Sequence, residues 1–137
     1  MFTSETTIRI HYALTDQMGM VYYGNYAQFY EIGRVEAFRQ LGYSYKDIEA
    51  FGIIMPVTDF HCRYLRPAKY DDIITVKTTL KELPHRHKIL FYSEIYNEQK
   101  ELLSTAEITL YILEKTFMKR TELPEALKET LLPYFSN

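Results

Sequence analysis

The sequence predicts an α+β domain in which a curved antiparallel sheet wraps one long helix. Three observations carry this expectation. A strand pattern opens the chain, one long helical period follows, and four extended segments then run in succession with short connections. Elements grouped by kind favour α+β over a wound βαβ sheet, which alternates strand with helix. The 137 residues read as one domain, 1–137, with one core.

From Thr6 to Thr15, Ile8, Ile10 and Tyr12 alternate with Arg9, His11 and Ala13, which predicts a half-buried strand. The stretch Asp16 to Gly24 holds two glycines and no helical period, so it reads as a long structured turn. Asn25 is a favoured N-cap, with Gln28 where a capping box puts its return partner. Tyr26, Phe29, Tyr30, Gly33, Ala37 and Leu41 then recur at spacings of three and four, which predicts a helix from Asn25 to Leu41 closed by Gly42. Ile32, Val35 and Phe38 add apolar residues on other sides, so the helix is expected to be largely covered.

Ser44 with Asp47 predicts a second, short helix that Gly52 closes. Val57–Leu65, Asp72–Leu83, Lys88–Tyr96 and Leu102–Glu114 read as strands. Ile74, Val76, Thr78 and Leu80 share one face, as do Ala106, Ile108, Leu110 and Ile112. The connections at 67–71, 84–87 and 97–101 are short enough for antiparallel neighbours. Pro124 suits the first turn of a C-terminal helix that buries Leu127 and Leu131.

Composition narrows the chemistry. The net charge of −2, with no basic run, offers no phosphate track and points away from nucleic acid. One cysteine, Cys62, excludes an internal disulfide and a Cys-rich zinc site; it reads as a small packed strand residue. His11, His61, His85 and His87 show no metal-ligand spacing. No apolar run has membrane-span length, and the N-terminus passes straight into a strand pattern, so the cytoplasm is the expected compartment. Thirteen Tyr and eight Phe suit an amphipathic pocket or an interface. Sheet edges must be covered or paired, and the aromatic content favours a second copy.

The strongest candidate for chemistry is Asp16, just ahead of the long helix. Free N–H groups at a helix start carry partial positive charge and hold a developing oxyanion. A carboxylate beside them suits acyl transfer to water, as a base or as a nucleophile. The plain alternative is an Asx hydrogen bond by which Asp16 caps its own turn.

The run from Tyr12 to Tyr26, with Thr15-Asp16, Gly19, Val21, Tyr22-Tyr23 and Asn25-Tyr26, resembles the signature of the 4-hydroxybenzoyl-CoA thioesterase-like hotdog family. It is most similar to the small bacterial acyl-CoA thioesterase branch associated with the Tol–Pal gene cluster. Glu31, Arg34 and Glu36 resemble the family's Glu-x-x-Arg-x-Glu, and Tyr64 to Asp72 resembles its Tyr-x-x-Pro-Ala-x-Tyr-Asp-Asp segment. The similarity runs over about Thr6 to Leu113.

The resemblance implies a hotdog fold and hydrolysis of an acyl-CoA thioester, with no metal and no cofactor beyond the coenzyme A of the substrate. It implies a catalytic carboxylate on Asp16 and an oxyanion-holding amide near Tyr23. Gly19, Val21, Tyr22 and Tyr26 are the expected acyl-side residues, with core or dimer packing the plain alternative for the tyrosines. Arg86 and Lys88, in the basic turn His85-Arg86-His87-Lys88, are candidate partners of the coenzyme A phosphates, as are Arg63 and Arg66; a solvated loop is the plainer reading of that turn. It also implies a homodimer or homotetramer with sites at subunit interfaces. Many relatives carry a second acid where this chain has Leu14.

Glu31 is the rival carboxylate, although pairing with Arg34 is the simpler reading. The rival functions are an acyl-CoA or acyl-carrier binding module without turnover, a hydrolase of acyl-carrier protein, and a hydratase. The last lacks its Asp/His loop. No G-x-S-x-G elbow points to an α/β-hydrolase.

Overall fold

The computed structural model describes residues 1–136. Strand β1 (Phe2–Arg9) leads through a long loop to helix α1 (Tyr26–Gln40) and short helix α2 (Tyr45–Ala50). Strands β2 (Ile53–Ile54), β3 (Val57–Tyr64), β4 (Ile73–Leu80), β5 (Lys88–Tyr96), β6 (Leu102–Tyr111) and β7 (Leu113–Glu114) follow, then helix α3 (Glu125–Leu131). Five strands form one antiparallel sheet in the order β1-β4-β5-β6-β3, and β2 pairs with β7.

The alternation read in the sequence selects the inner face. Ile74, Val76, Thr78 and Leu80 of β4 and Ala106, Ile108 and Leu110 of β6 are buried, as is Ile112 just beyond. Helix α1 crosses this face and buries Tyr26, Phe29, Tyr30, Gly33, Arg34, Ala37 and Phe38. Tyr30 Oη donates to Ser104 Oγ at 2.6 Å, and the Phe38 ring meets Phe91 edge-on at 6.0 Å. Gly33 lies close against β4: a Cβ there would lie 2.6 Å from Thr78 Oγ1 and 2.8 Å from Val76 Cγ1. Burial leaves one side of α1 open, with Ile32 exposed and Val35 half-buried, so the helix is less covered than its apolar content suggested.

Local signals held where the hydrogen bonds are local. Ser44 and Asp47 form the reciprocal capping box, and Leu127 and Leu131 of α3 are buried. Pro124 stands one residue earlier than expected, at the N-cap.

Long-range pairing corrected several expectations. The first strand runs from Phe2 to Arg9 instead of from Thr6 to Thr15, because Ile10 leaves β4 and exchanges hydrogen bonds with the turn at Asp71 and Asp72. Tyr12 lies in a 3-10 turn and is exposed. The segment at 67–71 is not a hairpin: β3 pairs with β6, while β4 sits between β1 and β5. The last long strand divides in two at Ile112, whose N–H turns to the His87 carbonyl at 2.7 Å. Among the described residues no helix is long and apolar enough to cross a membrane.

Candidate active site

The loop between β1 and α1 folds back on itself. Asp16 N–H donates to Met20 O at 2.8 Å, and Gly19 N–H donates to Asp16 O at 3.1 Å. Gly19 takes φ +77°, a left-handed conformation that glycine adopts without steric cost. Segment 67–72 braces this loop from below. Val21 N–H donates to Ala68 O at 2.8 Å, and Tyr70 N–H donates to Gly19 O at 3.3 Å. The two motif segments that stood apart in the sequence are therefore one structural unit.

The Asp16 carboxylate is half-buried and oriented by its own turn. Oδ1 accepts from Met18 N–H at 2.8 Å and from Met20 N–H at 3.3 Å. The Asx-turn reading is thus correct for one oxygen. Among the described residues no donor reaches Oδ2. The turn fixes the carboxylate by one oxygen alone.

The chain enters α1 through a 3-10 turn, Tyr23–Asn25. Asn25 N–H returns to Tyr22 O, and Tyr26 N–H returns to Tyr23 O. Among the described residues the N–H groups of Tyr23 and Gly24 have no acceptor, as expected at a helix start. Asn25 does not cap the helix through its side chain, and the capping box with Gln28 is absent. Its Nδ2 instead donates to Leu14 O at 2.9 Å, a carbonyl that also accepts Tyr22 N–H at 3.0 Å. The side chain was drawn off by a nearby carbonyl that helix periodicity cannot reveal.

A cleft of about 580 Å³ opens over these groups, lined by Asp16, Val21, Tyr22, Tyr23, Tyr26 and Tyr64 and rimmed by Met18, Met20 and the Leu65-Arg66-Pro67 segment. Tyr64 Oη donates to Tyr23 O at 3.2 Å, and its ring meets Tyr26 edge-on at 4.9 Å. Desolvation, then the neighbouring Cys62, push the Tyr64 phenol up to about 12, so it stays an O–H donor at neutral pH. Burial also raises Tyr26, whose Oη accepts Ala68 N–H at 3.4 Å. Arg66 is held by Glu101 at 2.8 Å on the rim.

A family model described as the thioesterase-like superfamily matches residues 10–131. The chain belongs to the thioesterase-like superfamily. Among its relatives in that superfamily, YneP of Bacillus subtilis is 32% identical over 129 residues, covering 94% of this chain and 93% of that protein. The acyl-CoA thioester hydrolase YbgC of Escherichia coli O157:H7 is 28% identical over 120 residues, covering 88% and 89%. The solved DHNA-CoA thioesterase of Staphylococcus aureus is 32% identical with a TM-score of 0.86, covering 100% of this chain and 97% of that one. The hotdog fold expected from the motifs is the fold of this thioesterase-like chain.

The cleft gathers Asp16, Val21, Tyr22, Tyr23 and Tyr26, and Gly19 closes the turn beside them. Arg86 and Lys88 are not there. Lys88 starts β5, whereas Ile95 shares a row with Ser104 and Tyr64, so about 23 Å of strand separates Lys88 from the cleft. The register of β5 puts them at the other end of the sheet from the same chain's Asp16.

Glu31 is exposed and outside the cleft. The expected Glu31–Arg34 pair is not formed among the described residues. Arg34 turns inward, where burial lowers its pKa and Tyr45 opposes that shift. Tyr64 and Met20 were not singled out as pocket residues from the sequence. The Tyr-x-x-Pro-Ala segment was the signal for Tyr64, and Met20 carried none. A wider hollow of about 650 Å³ on the outer sheet face, between Arg63, Lys81, Glu94 and Glu107, contains neither a free helix start nor Asp16.

Proposed function

We propose that this chain is an acyl-CoA thioester hydrolase that releases a carboxylic acid and free coenzyme A. The observation that carries this reading is the shared cleft: Asp16, whose Oδ2 has no partner among the described residues, and Tyr23, whose N–H has none, line one hollow. The names of the relatives YbgC and DHNA-CoA thioesterase support the same chemistry. The motif from Tyr12 to Tyr26 supports a place near the Tol–Pal-associated branch.

In the reaction, Asp16 Oδ2 takes a proton from water as the water oxygen bonds to the thioester carbon. The carbonyl oxygen becomes an oxyanion held by the Tyr23 N–H, with Gly24 N–H beside it. Collapse breaks the C–S bond, and the proton passes to the departing thiolate. In the second route Asp16 attacks the carbon itself, and water then opens the mixed anhydride. Under single turnover in 18O-water, label in Asp16 identifies the second route with water attacking the Asp16 carboxyl carbon of the anhydride. Both routes need only Asp16, the helix entry and water, with coenzyme A present as part of the substrate. The four tyrosines support an acyl group that offers apolar or aromatic surface.

The cytoplasm is the compartment this substrate suits. A second copy completes the site in this reading. Edge strand β3 leaves Val57, Phe60 and Tyr64 exposed, which favours pairing with its own copy. Antiparallel pairing brings the copy's β5 start, with Arg86 and Lys88, to about three strand spacings (~14 Å) from Tyr64. Those cations would then meet coenzyme A phosphates in trans. Light scattering should report a dimer or tetramer, and a monomer at micromolar concentration overturns this part.

The deciding variant is Asp16→Asn. It keeps an acceptor for Met18 and Met20 N–H but cannot take a proton. Thiol release should fall by about a thousandfold or more with fold and acyl-CoA binding retained. Undiminished turnover removes Asp16 from its role, and a wild-type protein that binds without turnover makes the domain a binding module.

A further inference from the structure

The turn after β7 carries two apolar side chains that the fold leaves in water. Phe117 is 74% exposed and Met118 55% exposed. The turn is firmly held. Glu114 N–H donates to Lys119 O at 2.8 Å and Met118 N–H to Glu114 O at 2.9 Å, while Lys115 N–H ties the root to Gly52 O at 2.8 Å. A constrained tip that displays Phe and Met differs from a loose loop, because its apolar surface stays presented.

Lys115, Lys119 and Arg120 are all exposed around this tip. Among the described residues none of the three has a carboxylate within ion-pair distance, although the chain as a whole is net acidic. The positive field extends across Tyr111. Arg120 lies 5.2 Å and Lys88 5.8 Å from that ring, and His87 stacks on it edge-on at 4.8 Å with its Nε2 enclosed and unpartnered. Desolvation and these cations hold His87 below its ordinary pKa.

We propose that the 115–120 turn docks the protein on an anionic lipid surface, with Phe117 and Met118 entering the interface while Lys115, Lys119 and Arg120 meet the headgroups. An apolar tip ringed by cations matches the layering of a bilayer surface, and the long Lys and Arg stems let the charges stay at headgroup level. A second copy is a poor occupant, because two-fold contact would set the same cations against each other. A nucleic acid would leave Phe117 and Met118 beside phosphate. The tip is at the end of the sheet away from the same chain's Asp16. The inference does not rest on the catalytic reading of Asp16.

The test is co-sedimentation of the full chain with phosphatidylcholine vesicles, with and without phosphatidylglycerol, at low and high salt. The wild type should pellet with the phosphatidylglycerol vesicles at low salt and stay in solution with phosphatidylcholine alone. The Lys115→Gln/Lys119→Gln/Arg120→Gln variant should lose about a hundredfold in apparent affinity. Phe117→Ser/Met118→Ser should lose at least about tenfold. Both should keep their circular dichroism and their turnover of a short, soluble acyl-CoA. A wild type that never pellets, or variants that pellet equally, overturns the proposal. Retention on an immobilised acidic carrier protein without vesicle binding reassigns the surface to a protein partner.

Discussion

Tyr64 on β3 donates its phenol to the main-chain carbonyl of Tyr23, at 3.2 Å. That carbonyl and the Gly24 N–H belong to one planar peptide unit, so holding one end aims the other. A side chain on the sheet edge thereby adds a second hold, beside the Tyr26 N–H, on a peptide at the entry of α1. Tyr64→Phe keeps the ring that packs on Tyr26 and removes only the tether. We expect kcat to fall about tenfold, with KM nearly unchanged and a small change in Tm. Steady-state kinetics showing wild-type kcat would refute the tether.

Asn25 makes a second link between the same elements, through Nδ2 and the Leu14 carbonyl. Asn25→Ala should cost about 1 kcal/mol, since Leu14 O keeps its bond from Tyr22 N–H. Turnover should slow as the Asp16 loop loosens from the helix. Asn25→Ser distinguishes this role from helix capping. Serine is a good N-cap but is too short to reach Leu14, so it should fail to restore either stability or rate. Full rescue by serine in urea unfolding would return Asn25 to a capping role.

Gly33 sets how closely α1 lies on β4. A methyl there meets Thr78 Oγ1 and Val76 Cγ1 well inside contact distance, and both belong to short branched side chains that cannot swing away. Alanine is the better helix former by about 1 kcal/mol, yet overpacking costs about 1–3 kcal/mol. The expected net result for Gly33→Ala is a lower Tm in calorimetry. A higher Tm would mean that helix propensity outweighs the close approach. The double variant with Val76→Ala should recover part of the loss.

Much of the fold was legible because its causes are local. Three- and four-residue spacings from Tyr26 to Leu41 marked the helix, Ser44 and Asp47 marked the next one, and period-two alternation marked β4 and β6. The Asp16 loop was legible as a pattern of residue types. Arg86 and Lys88 showed the limit: two cations in a turn read as phosphate partners, but nothing in their spacing tells which end of the sheet the turn occupies.

The sequence by itself determined the α+β class, the existence of the long helix and the position of Asp16 in the turn ahead of it. These follow from periodicity, capping and turn chemistry, which act over a few residues. Only the tertiary structure decided that β3 lies beside β6, that β1 stops at Arg9, that Asn25 serves Leu14 instead of its own helix, and that Tyr64 reaches Tyr23. The physical reason is shared. A strand's alternation says which face is buried but not which neighbour completes its ladder, and a side-chain amide or phenol takes whichever carbonyl long-range packing brings within 3 to 4 Å. Asp16 shows both levels at once, because its turn was written locally, while the cleft it lines with Tyr23 and Tyr64 exists only once β3, the 67–72 segment and the helix entry have come together.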